Sequence, residues 1–266
     1  MLPWEVMWLM AVCLFAFFKW LTWSHRSARI RDIGAEYRLG YLFGWVGLDV
    51  DEFCALARFD RKVAAREWIL AAMMTMCGAM ALWVLIPHLP AAQPVSTGGL
   101  GFAGMLLFLH FGLFHLLALA WRRNGIAVEP IMHLPLLATS LADFWGRRWN
   151  RAYRQVSFDY FFRPAVSRFG VVVGTLIAFF ASGLIHELVI SFPAGAGYGG
   201  PTVYFVIQGL GLLFERSAAW RRLTRRYPFC GWLCTLVFLI GPVGLLFHEA
   251  FLTRVIAPFL EVIGAR

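Results

Sequence analysis

Charged residues are scarce in this chain. They make up 15% of its 266 residues, whereas 60% are hydrophobic. A soluble globular protein is typically about 25% charged and about 45–50% apolar. Uncharged apolar runs recur from end to end, each near the length of roughly 20 residues that crosses a bilayer core as a helix. The composition therefore excludes a soluble globular domain and predicts an all-α, polytopic bundle of membrane helices.

The chain also lacks a cysteine framework, a linker and an internal repeat. Its five cysteines lie mostly in apolar segments without metal-ligand or disulfide spacing. No linker or low-complexity segment divides it, which predicts a single membrane-embedded domain over residues 1–266. The missing repeat weakens the interpretation of the chain as a transporter built from inverted halves. The first apolar segment contains Glu5 and Lys19 and no small-residue cleavage site, so we expect a retained helix.

Six apolar segments are expected to span the membrane. They are residues 3–23, 68–90, 99–121, 169–192, 201–215 and 229–252. Of the 24 Lys and Arg residues, eight lie in 24–67, eight in 122–168 and five in 216–228, while 91–98 and 193–200 carry none. The positive-inside rule then predicts cytoplasmic basic connections and an outside N-terminus, expected in a bacterial inner membrane. The net charge of +9 belongs to these connections, so no nucleic-acid partner is expected.

Two of the basic connections carry more than a loop. Residues 37–53 are aromatic and apolar but interrupted by Gly and Asp, which suits a segment in the membrane interface. Residues 126–153 begin apolar, are broken by Pro130 and Pro135, and then become amphipathic. This second pattern predicts a re-entrant or surface element that leads into a basic, aromatic helix.

One apolar span carries ionisable side chains in the stretch "SGLIHEL" (182–188). Ser182 and His186 are four residues apart and share a helix face, whereas Glu187 is rotated by about 100°. Ionisable groups at membrane depth are expensive and mark a pathway, a partner or a reaction centre. His186 is therefore a candidate for a protein-lined chamber; equally, it could hydrogen-bond a neighbouring helix and only hold the bundle together.

A cationic and aromatic stretch, "SLADFWGRRWNRAYRQ", covers residues 140–155. Ser140 is a candidate N-cap, and Trp145 and Trp149 contribute to an aromatic face. Arg147 and Arg148 belong to a basic surface that could bind lipid headgroups or the phosphates of coenzyme A. Asn150 stands uncharged within this run, and its amide could orient a substrate or donate to an oxyanion.

Three classes of membrane enzyme are excluded by missing motifs. Seven scattered histidines do not form the histidine boxes of a di-iron desaturase. "FASG" (180–183) lacks the first glycine of the GxSG elbow of a rhomboid-type serine protease. Neither His-Glu pair is followed by the second histidine of HExxH, so a zinc protease is not indicated, and no metal site is expected.

The ordered set of motifs resembles the wax-synthase-like branch of the membrane-bound O-acyltransferase family. The motifs are "HLPLLATSLADFWGRRWNRAYRQ" (133–155) and "SGLIHELVIS" (182–191), with "GYLFGWVGLD" (40–49) and "GYGGPTVYFVIQGLGLLFER" (197–216) on either side. The resemblance implies transfer of a fatty acyl group from acyl-CoA to the hydroxyl of a lipophilic alcohol, within a membrane chamber. It implies that His186 is the catalytic residue and that Asn150 matches the upstream polar residue of the family.

We therefore interpret the chain as an acyl-CoA-dependent O-acyltransferase with His186 as general base and Asn150 as its catalytic partner. The residues expected to contact substrate are Arg147, Arg148, Trp149, Trp145, Ser182 and Glu187. No cofactor beyond the co-substrate acyl-CoA is implied, and membrane lipids are expected to surround the protein. Alternatives are a polyketide, glycan or sterol hydroxyl as acceptor, or a non-catalytic lipid transporter or scaffold.

Overall fold

The computed structural model describes residues 1–26, 34–54, 63–90 and 92–266. These residues form helices and no β-strand, which confirms the predicted all-α membrane fold. The basic connection predicted over 24–67 lies partly outside the described residues.

The helices are named here in chain order. They are α1 (Pro3–Arg26), α2 (Ala35–Gly44), α3 (Val50–Cys54), α4 (Ala65–His88), α5 (Pro94–Arg123), α6 (141–148), α7 (Arg151–Ala194), α8 (Gly200–Glu215), α9 (Ala218–Arg226), α10 (Pro228–Ile240), α11 (Val243–Leu246) and α12 (249–262). A single 3-10 turn, Pro135–Leu137, precedes α6.

Five segments are long and apolar enough to cross a membrane: Pro3–His25, Ala65–His88, Pro94–Arg123, Arg151–Ala194 and Pro228–Leu246. They match five of the six predicted spans. The remaining one is α8, which has 16 residues. At 1.5 Å per residue it measures about 24 Å, shorter than a hydrocarbon core of about 30 Å. Its role as a span stays a prediction.

The predicted last span, 229–252, is wrong at its C-terminal end. Helix α10 ends at Ile240, and Gly241 and Pro242 form a turn before the short helix α11. The cause is Pro242, whose ring and missing N–H are incompatible with a helix interior. His248 lies beyond this turn and is the N-cap of α12: its Nδ1 accepts a hydrogen bond from Phe251 N at 3.2 Å.

Contacts between Cα atoms divide the chain into two compact units, residues 1–11 with 133–259 and residues 12–132 with 260–266. The prediction of one domain over 1–266 stays a prediction. In the second unit, Tyr41, Trp45 and Phe53 pack in a common core, whereas Tyr37 and Phe43 of the same segment are exposed. Lys19 ties α1 to this segment, donating from Nζ to Trp45 O at 2.8 Å.

In the first unit, α7 and α8 form a closely packed hairpin. Helix α7 bends at Gly170, where φ is +78°. Near its other end, a Cβ added to Gly183 would lie 2.6 Å from Thr202 Cα, so only glycine permits this approach of the two backbones. His186 lies less than one turn beyond this contact, and the packing of the two helices therefore fixes its surroundings.

Candidate active site

A cavity of about 520 Å³ lies within the first unit and is lined by residues of α6, α7 and α8, together with Trp149, Asn150 and Arg216 next to these helices. This volume falls within the range of roughly 300–1,000 Å³ usual for small-molecule sites. Most of the lining surface is aromatic or aliphatic, although nearly half of the lining residues carry a polar or charged group. The polar and charged side chains that line it include Asn150, Tyr153, Arg154, Ser182, His186 and Arg216. The structure thus brings His186, Asn150 and Ser182 to one chamber.

His186 is held by the backbone of its own helix. Its Nδ1 lies 2.7 Å from the carbonyl oxygen of Ser182, and because a carbonyl only accepts, Nδ1 carries the proton. A neutral imidazole then has its lone pair on Nε2. Among the residues that the structure describes, none is hydrogen-bonded to Nε2. The ring packs on Phe205, with centroids 4.3 Å apart.

Ser182 contributes its backbone rather than its hydroxyl to this arrangement. The Oγ atom donates to Ala178 O at 3.0 Å, one turn earlier in α7. Ser182 is 9% exposed and lines the cavity beside His186. The hydroxyl of Ser182 thus has its hydrogen-bond partner within α7.

Glu187 does not line the cavity. Its Oε1 accepts three hydrogen bonds, from Gly199 N at 3.0 Å, Thr202 N at 3.1 Å and Thr202 Oγ1 at 2.9 Å. A carboxylate is stabilised at the N-terminus of a helix, where backbone N–H groups have no helical partner. Glu187, the residue after His186, thus ties this part of α7 to the start of α8. Its predicted contact with substrate stays a prediction.

The predicted basic, aromatic helix over 140–155 is two helices. Ser140 caps α6 as expected, since its Oγ accepts from Asp143 N at 3.0 Å. The helix then breaks at Trp149, and Asn150 adopts a left-handed conformation with φ of 38°. Asparagine tolerates this region better than most residues, and its Oδ1 caps α7 by accepting from Tyr153 N at 3.3 Å. The amphipathic pattern did not predict this break, because a polar asparagine fits the polar face of one continuous helix as well as a cap between two helices.

Arg147 and Arg148 share one carboxylate and line no part of the cavity. Their Nε atoms donate to Asp143 Oδ1 and Oδ2 at 3.0 and 2.6 Å. The cavity is instead lined by Arg154 and Arg216. Arg154 belongs to the basic stretch, but Arg216 follows α8 about 60 residues later, and no local pattern connects the two. Donor binding by Arg147 and Arg148 stays a prediction.

Trp145 and Trp149 both line the cavity, and their predicted contact with substrate stays a prediction. Trp145 packs edge-on to Phe179 at 5.8 Å and against Phe205 at 5.5 Å. The ring of Phe205 therefore contacts both Trp145 and His186. Sequence reasoning missed Phe205, since one phenylalanine in an apolar helix carries no signal.

The fold and the chamber define an integral membrane protein with a histidine-bearing cavity, and comparison with known proteins adds its relatives. Residues 128–207 match the model of the Membrane bound O-acyl transferase family. This range includes almost all of the cavity-lining residues, among them Asn150 and His186. The resemblance predicted from the sequence is thereby confirmed over this part of the chain.

Similar proteins occur in Arabidopsis thaliana. "Probable long-chain-alcohol O-fatty-acyltransferase 7" is 31% identical over 135 residues, which cover 46% of this chain and 40% of that protein. "Probable long-chain-alcohol O-fatty-acyltransferase 9" is 33% identical over 141 residues, 48% of this chain and 41% of that protein. "Acyl-CoA--sterol O-acyltransferase 1" is 34% identical over 76 residues, 26% and 22% of the two chains. The matches thus span less than half the length of these relatives, and no solved structure matches the chain.

Proposed function

We propose that this chain transfers a fatty acyl group from acyl-CoA to the hydroxyl of a lipophilic alcohol. The observation that carries the proposal is the hydrogen bond from His186 Nδ1 to Ser182 O, which leaves Nε2 as the basic nitrogen in an apolar chamber. The names of the two long-chain-alcohol O-fatty-acyltransferases support the same donor class and acceptor class.

The proposed reaction uses His186 as general base and then as general acid. Nε2 takes the proton of the alcohol while the oxygen attacks the thioester carbonyl, and the tetrahedral intermediate carries the negative charge on the former carbonyl oxygen. Collapse of this intermediate breaks the C–S bond, and the departing thiolate takes the proton from Nε2. The products are an ester and free coenzyme A, and the reaction needs no cofactor besides its co-substrate.

Asn150 is proposed to act on the carbonyl oxygen. Its Oδ1 accepts a hydrogen bond in the helix cap, and its amide nitrogen is the donor atom of the side chain, the kind of group that stabilises a developing oxyanion. Trp145 and Trp149 supply apolar walls for the acyl chain and the alcohol. Exclusion of water by such walls favours the alcohol over hydrolysis.

A sterol acceptor is the second candidate. The relative named "Acyl-CoA--sterol O-acyltransferase 1" favours it, and a cavity of about 520 Å³ leaves room for part of a rigid ring system. A non-catalytic transporter or scaffold makes the opposite prediction, since it would move lipid without forming an ester.

The proposal includes an orientation of the chain in the membrane. The uneven distribution of Lys and Arg supports cytoplasmic basic connections. The bacterial inner membrane expected from the sequence receives no support from the comparisons, because the relatives reported are plant proteins.

The decisive experiment incubates purified protein in nanodiscs with labelled palmitoyl-CoA and a panel of long-chain alcohols and sterols. Products are separated by mass. We expect ester formation with at least one acceptor class and none from His186→Asn, a variant that retains a donor for Ser182 O. Folded wild-type protein that binds acyl-CoA but forms no ester with any acceptor would overturn the proposal.

A further inference from the structure

A second cavity of about 370 Å³ adjoins the first one. Ala142, Leu212 and Arg216 line both, so the two cavities share a wall. Its other walls include Thr139 and, from helix α9, Trp220, Arg221 and Thr224. The bond-forming step proposed at His186 takes place in the first cavity, and the second cavity has a different chemical character.

Two exposed guanidinium groups, of Arg216 and Arg221, line this second cavity. In the described part of the chain no carboxylate pairs with either group, in contrast to Arg147 and Arg148. One carboxylate does line the cavity, that of Glu215, but its two oxygens accept from Leu141 N at 2.8 Å and Ala142 N at 3.3 Å. Its charge is therefore directed at the N-terminus of α6, and the two arginines remain able to bind an anion.

An aromatic surface accompanies these cations. Trp220 is partly buried and packs against Phe214, with ring centroids 5.1 Å apart, so its position is held by a neighbouring ring. Thr139 and Thr224 add hydroxyl groups to the same cavity. Guanidinium groups bind phosphate through paired N–H donors, and an indole face stacks with a nucleobase. The combination suits a ligand that carries both phosphate and a flat heterocycle.

We propose that the second cavity binds the nucleotide end of the acyl-CoA donor, its adenosine 3′,5′-bisphosphate portion. Arg216, shared by both cavities, contacts the diphosphate from which the pantetheine arm passes into the chamber of His186. Arg221 contacts the ribose phosphate and Trp220 stacks on the adenine. This inference rests on the proposed acyl transfer but assigns the donor phosphates to residues other than Arg147 and Arg148, which line neither cavity.

The test uses direct binding, so that it does not depend on turnover. Adenosine 3′,5′-bisphosphate is titrated into the whole protein in phosphatidylcholine nanodiscs, and its dissociation constant is measured calorimetrically. Arg221→Gln should weaken binding at least about tenfold, because a charge-assisted pair is lost. Arg222→Gln is the matched control: its position is on the same helix and exposed but lines neither cavity, so binding should stay within about twofold.

A second measurement compares two donors. Arg221→Gln should raise KM for palmitoyl-CoA about tenfold while leaving KM for S-palmitoyl-pantetheine, which lacks the nucleotide, close to the wild-type value. Equal effects on both donors, or equal effects of Arg221→Gln and Arg222→Gln, would overturn the assignment. So would loss of nucleotide binding in phosphatidylglycerol nanodiscs, since the cavity would then be a site for lipid phosphate.

The two proposals fail in different ways. Ester formation without any change in nucleotide binding by Arg221→Gln would refute the second cavity as the nucleotide site and leave the acyl transfer intact. Nucleotide binding that depends on Arg221, in a protein that forms no ester, would support the site and refute the proposed reaction.

Discussion

Nδ1 of His186 and the carbonyl oxygen of Ser182 are 2.7 Å apart, one helical turn from each other. Because the acceptor is a backbone atom, substitution of the Ser182 side chain cannot remove it. The hydrogen bond sets both the tautomer and the direction of the imidazole ring, and the packing of Phe205 on the ring restrains it further. The imidazole is thereby held in one orientation before any substrate binds.

Replacement of His186 should abolish catalysis without loss of the fold. General-base catalysis typically contributes roughly 10²–10⁴-fold, so His186→Asn should lower turnover at least about a hundredfold. The Asn side chain retains a donor near the position of Nδ1, and palmitoyl-CoA should still bind in a calorimetric titration. Near-normal turnover in folded protein would exclude His186 as the base.

Asn150 carries two roles that different variants separate. Asn150→Asp keeps an oxygen that caps α7 but loses the amide donor, so the melting temperature should change little while turnover falls at least about tenfold. Asn150→Ala should instead lower the free energy of unfolding by about 2 kcal/mol, because it loses the cap and is strained at positive φ. Full turnover in Asn150→Asp would leave this residue a purely structural role.

Glu187 should support stability more than substrate binding. Glu187→Ala leaves three donors at the start of α8 without their acceptor and should lower the free energy of unfolding by about 1–3 kcal/mol. Glu249, in the other His-Glu pair, is exposed, and Glu249→Ala should change stability by less than about 0.5 kcal/mol. A rise in KM for the alcohol, with unchanged stability, would instead support the substrate contact predicted for Glu187.

His248 lies outside the apolar spans, and its helix cap leads us to expect that the stability of the protein depends on pH. Burial lowers its pKa below the usual 6.5, and in the neutral form Nδ1 caps α12 by accepting from Phe251 N. A lowered pKa means that the unfolded chain binds the proton more readily. The contribution is therefore complete above pH about 6.5 and is lost as the pH falls below that value.

The corresponding measurement is thermal unfolding between pH 7.5 and pH 5. Wild-type protein should lose more stability on acidification than His248→Ala, which itself should be less stable at pH 7.5 by about 1 kcal/mol owing to the missing cap. Turnover of His248→Ala at pH 7.5 should stay near normal. An equal pH response of the two proteins would contradict the role of His248.

Accessibility labelling tests whether α8 crosses the membrane. Single cysteines replacing Tyr198 and Arg222 lie on either side of α8 and are both exposed. The six-span topology predicts labelling of the first from outside and of the second from the cytoplasm. Labelling of both from one side would mean that the 16 residues of α8 enter the bilayer without crossing it.

The sequence by itself determined the features that depend on neighbours along one helix. Ser182 and His186 share a face because they are four residues apart, and Ser140 caps α6 because its hydroxyl reaches an N–H three residues later. The apolar spans follow from length and composition in the same way. A local rule needs only the period of the helix, which is fixed by backbone geometry.

The tertiary structure alone decided which of the many arginines line a cavity and which are neutralised. Arg216 joins Asn150 and His186 in one chamber, although Asn150 and Arg216 lie 66 positions apart, while Arg147 turns to Asp143. Glu187 likewise caps a helix that begins 13 residues later. These partners depend on how α7 and α8 pack, which is set by small residues and by side-chain shape. A one-dimensional pattern of charge and hydropathy carries no information on that packing, because residues of equal polarity at equal spacing fit several arrangements.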